Sequence, residues 1–359
     1  LTFSRSDSIR AGFEAALREA WKFVGATAPN PPVGAAMLDQ EGCLIGVAAH
    51  QKAGTEHAEA RLIRELTDAG LISRAHTLIV TLEPCNHQGR TPPCTSAILA
   101  HPEIREIHFG LDDPNPRVAG RGAEKLESQG RVVQSLAPGE PLRSECERLI
   151  APFRKLSLTG RPWVLVKSAH RFEGMWEQQG AARNFDLFVR SRETFSQSMI
   201  PPPGQKTFTG ARSLEDAHLL RKQSDAIITG SGTILSDDPS FTVRLVPDHP
   251  PKGRVLAILD SRVRISEKWL KKAEGRGFRI RHITQRINLE ELLDRLGRDG
   301  CLQVLVEAGP SITSDILQSD LWDEHVAYLS ALDQNDLCIR RLRELPLHVC
   351  PHASDGPEA

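Results

Sequence analysis

Four side chains in the first hundred residues have the types and spacing for hydrolytic chemistry. His57 and Glu59 stand in TEHAEA, and Cys85 and Cys94 stand in TLEPCNHQGRTPPC (81–94). Two cysteines in one loop admit a disulfide, a redox pair or a metal site. The chain has seven cysteines, at 43, 85, 94, 146, 301, 338 and 350. An odd number without framework spacing argues against a disulfide scaffold and fits a reducing, cytoplasmic setting. A redox pair wants C-x-x-C, whereas eight residues separate Cys85 from Cys94. Metal binding remains. One neutral imidazole and two thiolates form a three-ligand zinc set with a fourth position open to water, whose pKa zinc brings from ~16 towards ~7. Glu59 follows His57 by two residues, about 200° around a helix, so the two cannot share a helical face. They converge only at a helix N-terminus, and there Glu59 reads as a proton carrier rather than a ligand. A fourth ligand from His87 would instead close the site into a structural one.

The surrounding pattern supplies elements to hold these groups. The segment 57–70 places Ala58, Leu62, Ile63, Leu66 and Ala69 on one helical stripe that ends at a glycine. Residues 33–38 and 43–49 read as a hairpin around Asp39–Gly42, and 76–82 and 105–111 as further strands. Thr91-Pro92-Pro93 reads as the start of a helix through Ala100, with Thr91 as N-cap and Pro92 at the first helical position. Pro84 and Pro92–Pro93 thereby bring Cys85 and Cys94 close to helix starts, where the dipole favours thiolate. The N-terminal SIRAGFEAALREAWKFVG is an amphipathic helix rather than a signal peptide. These elements predict an α/β domain over residues 1–148.

A second α/β series predicts a domain over 149–359. Its strands are 163–169, 225–233, 254–261 and 301–310, and its helices 212–223, 288–297 and 311–319. Residues 175–206, ending in MIPPPGQK, read as an insertion. Two glycine-bearing junctions, TGSGT (229–233) and EAGPSIT (307–313), have the form that brings backbone N–H groups to a phosphate. In the second, Ser311 is expected to begin the helix. Neither is a G-x-G-x-x-G fingerprint, and GSG alone is most often a turn.

Composition narrows the partners. A net charge of −1 and 5% aromatic residues leave no basic, aromatic-lined groove for nucleic acid. The longest apolar runs, such as VLAIL (255–259), are too short to span a bilayer.

The motifs resemble those of the bifunctional riboflavin-biosynthesis deaminase–reductase family. In the first half the resemblance rests on APNPPVGA (28–35), HAE (57–59), TLEPCNHQGRTPPC (81–94) and DDPNPRVAGRG (112–122). In the second it rests on RPWVLVKSA (161–169), LLRKQSDAIITGSGTILSDDPSFTVR (219–244), LDSRVR (259–264) and LVEAGPSITSDILQSDLWDE (305–324). The H-x-E…P-C order is also the signature of zinc nucleobase deaminases. The resemblance implies a cytidine-deaminase-like three-layer domain followed by a dihydrofolate-reductase-like domain. It implies hydrolytic deamination of a phosphoribosylated diaminopyrimidinone, then NADPH-dependent reduction of the ribosyl group to ribityl. Zn2+ falls to His57, Cys85 and Cys94, proton transfer to Glu59, and deaminase substrate contacts to Asn30 and His50. NADPH falls to Ala169, Thr233, Asp237, Ser261 and Gly309. The reductase substrate falls to Lys167, Arg221, Phe241, Arg244 and Glu307, with the two arginines at its phosphate. Assembly through the reductase domain into a homo-oligomer is implied as well.

Two departures stand against the family pattern. SAHRFEG replaces the usual A-x-S-L-D-G, with Glu173 in place of aspartate. GQKTFTG carries Gln205 and Thr207 where the family has serine and tryptophan. They leave open an alternative, an active deaminase whose second domain is only structural or oligomerising.

Overall fold

The computed structural model describes residues 4–88, 92–115, 121–171, 189, 192–200, 209–250, 252–330, 337–343 and 348–350. Thr91, Glu173, Gln205, Thr207 and most of 175–206 lie outside the described residues. The chain divides into two compact units, Leu1–Gly160 and Arg161–Ala359. The 148/149 line drawn from the sequence falls inside a helix of the first unit, Pro141–Thr159. Its Cys146, Leu149 and Ile150 join that unit's core, and Gly160, at φ 72°, ends it.

The first unit is built on a five-stranded sheet. Its strands are β1 (Gly34–Leu38), β2 (Leu44–Ala49), β3 (Thr77–Val80), β4 (Glu106–Phe109) and β5 (Val132–Ser135), in the order β2-β1-β3-β4-β5. β1 runs antiparallel to β2 and β3, and β3, β4 and β5 are parallel. Helix α1 (Arg5–Trp21) buries Phe13, Ala16, Leu17 and Ala20, an i, i+3, i+4, i+7 stripe. It presses so close on β1 that a Cβ at Gly34 would lie 2.0 Å from the Ala16 carbonyl oxygen. Helix α2 (Ala58–Asp68) lays Leu62 and Leu66 against Gly46, which pairs with Met37. Gly34 and Met37 differ by an odd number of residues, so α1 and α2 cover opposite faces of the sheet. The result is a three-layer sandwich.

The second unit holds an eight-stranded sheet. Its strands are β6 (Trp163–Arg171), β7 (Ala226–Gly230), β8 (Val255–Leu259), β9 (Arg279–Ile283), β10 (Gln303–Val306), β11 (Glu324–Ser330), β12 (Leu337–Leu342) and β13 (His348–Cys350). The order is β13-β12-β11-β6-β10-β7-β8-β9. The six strands from β11 to β9 are parallel, and β12 and β13 add an antiparallel edge. β10 is inserted between β6 and β7, so the carboxyl ends of three strands from distant parts of the chain lie side by side. In open parallel sheets that end is where ligands bind. Among the described residues no helix is long and apolar enough to cross a membrane.

Three elements begin or end at other residues than the sequence pattern predicts. Helix α3 runs Cys94–Leu99 with Pro93 as its cap, starting later than a Thr91 cap would place it. A residue before proline is kept out of the helical region, so Pro92 is not helical, and Pro93 is itself extended at φ −56° and ψ 138°, which makes Cys94 the first helical residue. The strand expected over 225–233 stops at Gly230, and a helix, Ser231–Asp237, follows at once. The helix expected at Ser311 begins at Pro310, where the missing N–H costs nothing.

Candidate active sites

In the first unit, His57 is the N-cap of α2 and makes no side-chain cap bond, so its ring is free to turn outward. Cys85 sits in the loop after β3, and Cys94 is the first residue of α3. His57 Nδ1 lies 3.3 Å from Cys94 Sγ and 3.5 Å from Cys85 Sγ. All three donor atoms lie within 4.8 Å of one another. Tetrahedral zinc with ordinary Zn–N and Zn–S bonds requires donors about 3.6 Å apart, so the residues fit the ion. His87 is exposed and is not part of this group. The electrostatics also ask for a cation. The Cys94 thiol, the Cys94 backbone N–H and His57 hold Cys85 down as a thiolate, while Cys85 and burial push Cys94 up. Two sulfurs this close cannot both ionise alone, and a divalent cation releases the remaining proton.

The loop between the sulfurs is tied at several points. Cys94 N–H donates to Cys85 Sγ (3.4 Å), Thr95 N–H donates to the Cys85 carbonyl (3.2 Å), and Thr95 Oγ1 donates to Asn86 Oδ1 (2.8 Å). Glu59, in the first turn of α2, is 3% exposed and touches the Cys94 thiol. Burial first, then the neighbouring Cys85 thiolate, pushes its carboxyl up to about 7, against the pull of His57. A carboxyl poised there can both take and return a proton at neutral pH. Beside the cluster, His50 Nδ1–H donates to the Glu56 carbonyl (2.9 Å), which leaves Nε2 to accept from Asn30 Nδ2 (3.3 Å). The His50 ring meets His57 edge-on at 5.3 Å between centroids. Asn30 and His50 thus lie beside the metal-ligand group.

In the second unit, a pocket of about 1300 Å³ opens at the carboxyl ends of the parallel strands. It brings together all ten residues singled out in this half of the chain. Glu307, just past β10, accepts from Arg221 Nε (2.8 Å) and Nη2 (2.6 Å), and Lys167 Nζ stands 3.8 Å away. Burial alone would raise Glu307, but Arg221 and Lys167 hold its carboxyl down at about 2. Burial lowers the Lys167 ammonium, and Glu307 partly restores it. Arg221 spends its fork on Glu307 and donates Nη1 to the Thr242 carbonyl (3.2 Å). Arg244 is exposed, and its guanidinium has no ion-pair partner among the described residues. Of the two arginines assigned to a phosphate, only Arg244 is therefore at liberty. Phe241 adopts φ 55°, a left-handed conformation costing an aromatic residue ~1–2 kcal/mol, and is 1% exposed. At the cofactor end, Thr233 Oγ1 is buried with no hydrogen-bond partner among the described residues and faces Gly309, where even a Cβ would stand 3.5 Å away. An unpartnered hydroxyl beside a bare backbone at a helix start suits a dinucleotide phosphate, so these residues fit NADPH.

Comparison with known proteins places both units. The family of the cytidine and deoxycytidylate deaminase zinc-binding region matches residues 7–111, and the RibD C-terminal domain matches residues 197–332. The riboflavin biosynthesis protein RibD of Aquifex aeolicus is 31% identical, with 92% of this chain and 90% of that protein covered. The chain belongs to the RibD family. RibD of Escherichia coli is likewise 31% identical, over 85% of this chain and 82% of its own. Among solved structures, RibD of Acinetobacter baumannii aligns with TM-score 0.67 at 27% identity over 90% of this chain and 86% of its own. The diaminohydroxyphosphoribosylaminopyrimidine deaminase/5-amino-6-(5-phosphoribosylamino)uracil reductase of Thermotoga maritima aligns with TM-score 0.69 at 26% identity, over 91% and 87%. RibD-family membership carries with it a zinc-binding deaminase domain and an NADPH-using reductase domain.

Two site-supporting residues of this RibD-family chain escaped the sequence reading. Glu83 of the EPC run is 5% exposed and accepts from Gly122 N (2.9 Å), Ala123 N (3.1 Å) and Asp113 N (3.3 Å). It ties the start of helix α4 (Arg121–Ser128) to the turn that carries Cys85. His218 lies one helical turn before Arg221 in HLLR and bonds to the backbone at Arg244 and Leu245. The i, i+3 spacing was the available signal for His218. For Glu83 there was only its place beside Pro84-Cys85.

Proposed function

We propose that the first unit hydrolyses an amine from a phosphoribosylated diaminopyrimidinone, and that the second reduces the ribosyl group of the product to ribityl with NADPH. The observation that carries this reading is the imidazole and two sulfurs at tetrahedral spacing, with a buried carboxyl raised to about 7 beside them. His57 Nδ1, Cys85 Sγ and Cys94 Sγ hold the zinc. Bound zinc supplies the Lewis acidity that makes water nucleophilic at neutral pH. Glu59 takes a proton from the attacking water and delivers it to the departing amine. The Asn30 amide, braced by His50, reads the edge of the pyrimidinone.

In the second unit, Ala169, Thr233, Asp237, Ser261 and Gly309 line the cofactor end, and bound NADPH supplies the hydride. Lys167 and Glu307 orient the sugar, Phe241 walls the site, and Arg244 takes the phosphate while Arg221 fixes Glu307. A half-buried lysine–glutamate–arginine cluster facing an open pocket is a costly feature for a domain with only a scaffolding task, which favours two activities over one. A cytoplasmic setting and assembly through the second unit accompany this reading.

The test is zinc analysis of the purified protein, then a two-step assay with the diaminopyrimidinone ribotide. Ammonia release followed by a fall in nicotinamide absorbance is expected. Zinc and ammonia release with no absorbance fall, even on the deaminated intermediate, would leave only the deaminase.

A further inference from the structure

Phe241 and Arg244 enter the second unit's pocket on a short segment after the helix Ser231–Asp237. Nothing regular in the segment holds it. Asp238 and Phe241 lie at φ 40° and 55°, conformations that persist for such residues only when their surroundings impose them. The segment's start is tied by Trp269 and Lys272 at Asp238 and by Arg276 at the Pro239 carbonyl, and from Thr242 onward the restraint comes from two side chains one turn apart on the helix Ala211–Gln223. Arg221 Nη1 donates to the Thr242 carbonyl (3.2 Å). His218 Nδ1 accepts from the backbone N–H of Arg244 (2.8 Å) and of Leu245 (3.3 Å). His218 is 4% exposed and lies outside the pocket wall.

The tautomer follows from the partners. A backbone N–H can only donate, so Nδ1 carries a lone pair and the neutral ring keeps its proton on Nε2; Arg221 Nη1, 3.4 Å from Nε2, is then a close contact between two donors and not a hydrogen bond. A protonated ring would set donor against donor at Nδ1. It would also add a third positive charge between Arg221 and Arg244, with only Glu307 to offset it.

We propose that His218 is a positioning residue for the reduction: its unprotonated Nδ1 fixes the Arg244 backbone and so aims at the substrate phosphate the guanidinium that, unlike that of Arg221, is not committed to Glu307. This rests on the reading of the pocket as the reductase substrate site, and deepens it.

The experiment uses full-length, zinc-loaded protein, with the deaminated ribotide as substrate and nicotinamide absorbance as the readout. His218→Asn keeps an acceptor, Oδ1, where Nδ1 stood. His218→Gln is similar in bulk but carries its acceptor one bond further out. Arg244→Ala removes the contact itself. The expected result is a KM about tenfold higher for His218→Gln and for Arg244→Ala, with kcat little changed and KM in His218→Asn within about twofold of the parent. Ammonia release, assayed separately on the diaminopyrimidinone ribotide, should be unchanged in all three. A raised KM in Arg244→Ala with an unchanged KM in His218→Gln overturns the role of His218. Equal damage in the Asn and Gln variants marks a packing defect and overturns it too. An unchanged KM in Arg244→Ala overturns the reading of the pocket, and the proposal with it.

Discussion

At the scale of single residues, the deaminase site depends on keeping two neighbours in different jobs. His57 and Glu59 are both at the start of α2, yet His57 meets both sulfurs while Glu59 touches Cys94 alone. Its extended backbone, φ −69° and ψ 165°, takes the imidazole out of the helical array, while Glu59 stays inside the first turn. Replacing the carboxylate by an amide should leave the metal alone and remove the proton carrier. Glu59→Gln is expected to retain zinc and lose deamination by about 10²–10⁴-fold. Metal analysis beside an ammonia-release assay checks this, and near-normal turnover would show the carrier to be another group. The identities of His57, Glu59, Cys85 and Cys94 were legible because metal affinity and proton transfer are properties of residue types at short spacings. Glu83 was not legible, because its partners lie 30, 39 and 40 residues away and are backbone amides with no side-chain signature.

At the scale of elements, the turn Glu83-Pro84-Cys85 is the part with least room. Its outer side is closed by α4, where a Cβ at Gly122 would lie 1.9 Å from the Pro84 carbonyl oxygen. Backbone cannot yield as a flexible side chain does, so either α4 or the cysteine loop must move. Gly122→Ala is expected to destabilise the first unit by ~1–3 kcal/mol and to reduce zinc bound per chain. Thermal unfolding with metal analysis measures both, and an unchanged midpoint with full zinc would show that the turn tolerates the shift. The same steric logic explains which boundaries could be read in advance. The hairpin at Asp39–Gly42 and the stripe of α2 follow from periodicity and turn residues. The start of α3 and the end of β7 depend on backbone geometry at Pro92–Pro93 and Gly230, which a hydrophobic pattern does not encode.

At the scale of the whole molecule, two units with separate cores divide the chemistry, and the second contains histidines buried in the neutral form. Burial first, then Arg221 and Arg244, lowers His218 from its ordinary 6.5 to about 4, and burial with Arg341 lowers His325 to about 3. Above pH ~6.5 both folded and unfolded chains hold these rings neutral, and nothing is lost. As pH falls below that value the unfolded chain takes protons that the folded one refuses, so stability declines until each folded pKa is passed. For His325 the slope approaches ~1.4 kcal/mol per pH unit. The second unit's urea midpoint, followed by fluorescence of Trp163, Trp269 and Trp322, is therefore expected to drop steadily from pH 7 to pH 4.5. A flat profile would show that the rings titrate in the fold as they do in the unfolded chain.

The sequence by itself determined the residue types, their local periodicity and their order along the chain, and with these the family, the two α/β domains and the chemistry of the first site. Only the tertiary structure decided which groups meet. Cys94 reaches His57 across 37 residues, and Arg221 reaches Glu307 across 86. The physical reason is strand order: β10 lies between β6 and β7, and that placement brings Lys167, Arg221 and Glu307 within bonding range. Which donors satisfy which acceptors is settled by packing, so Arg221 became a brace for Glu307, and His218 acquired two backbone partners that no spacing rule announces.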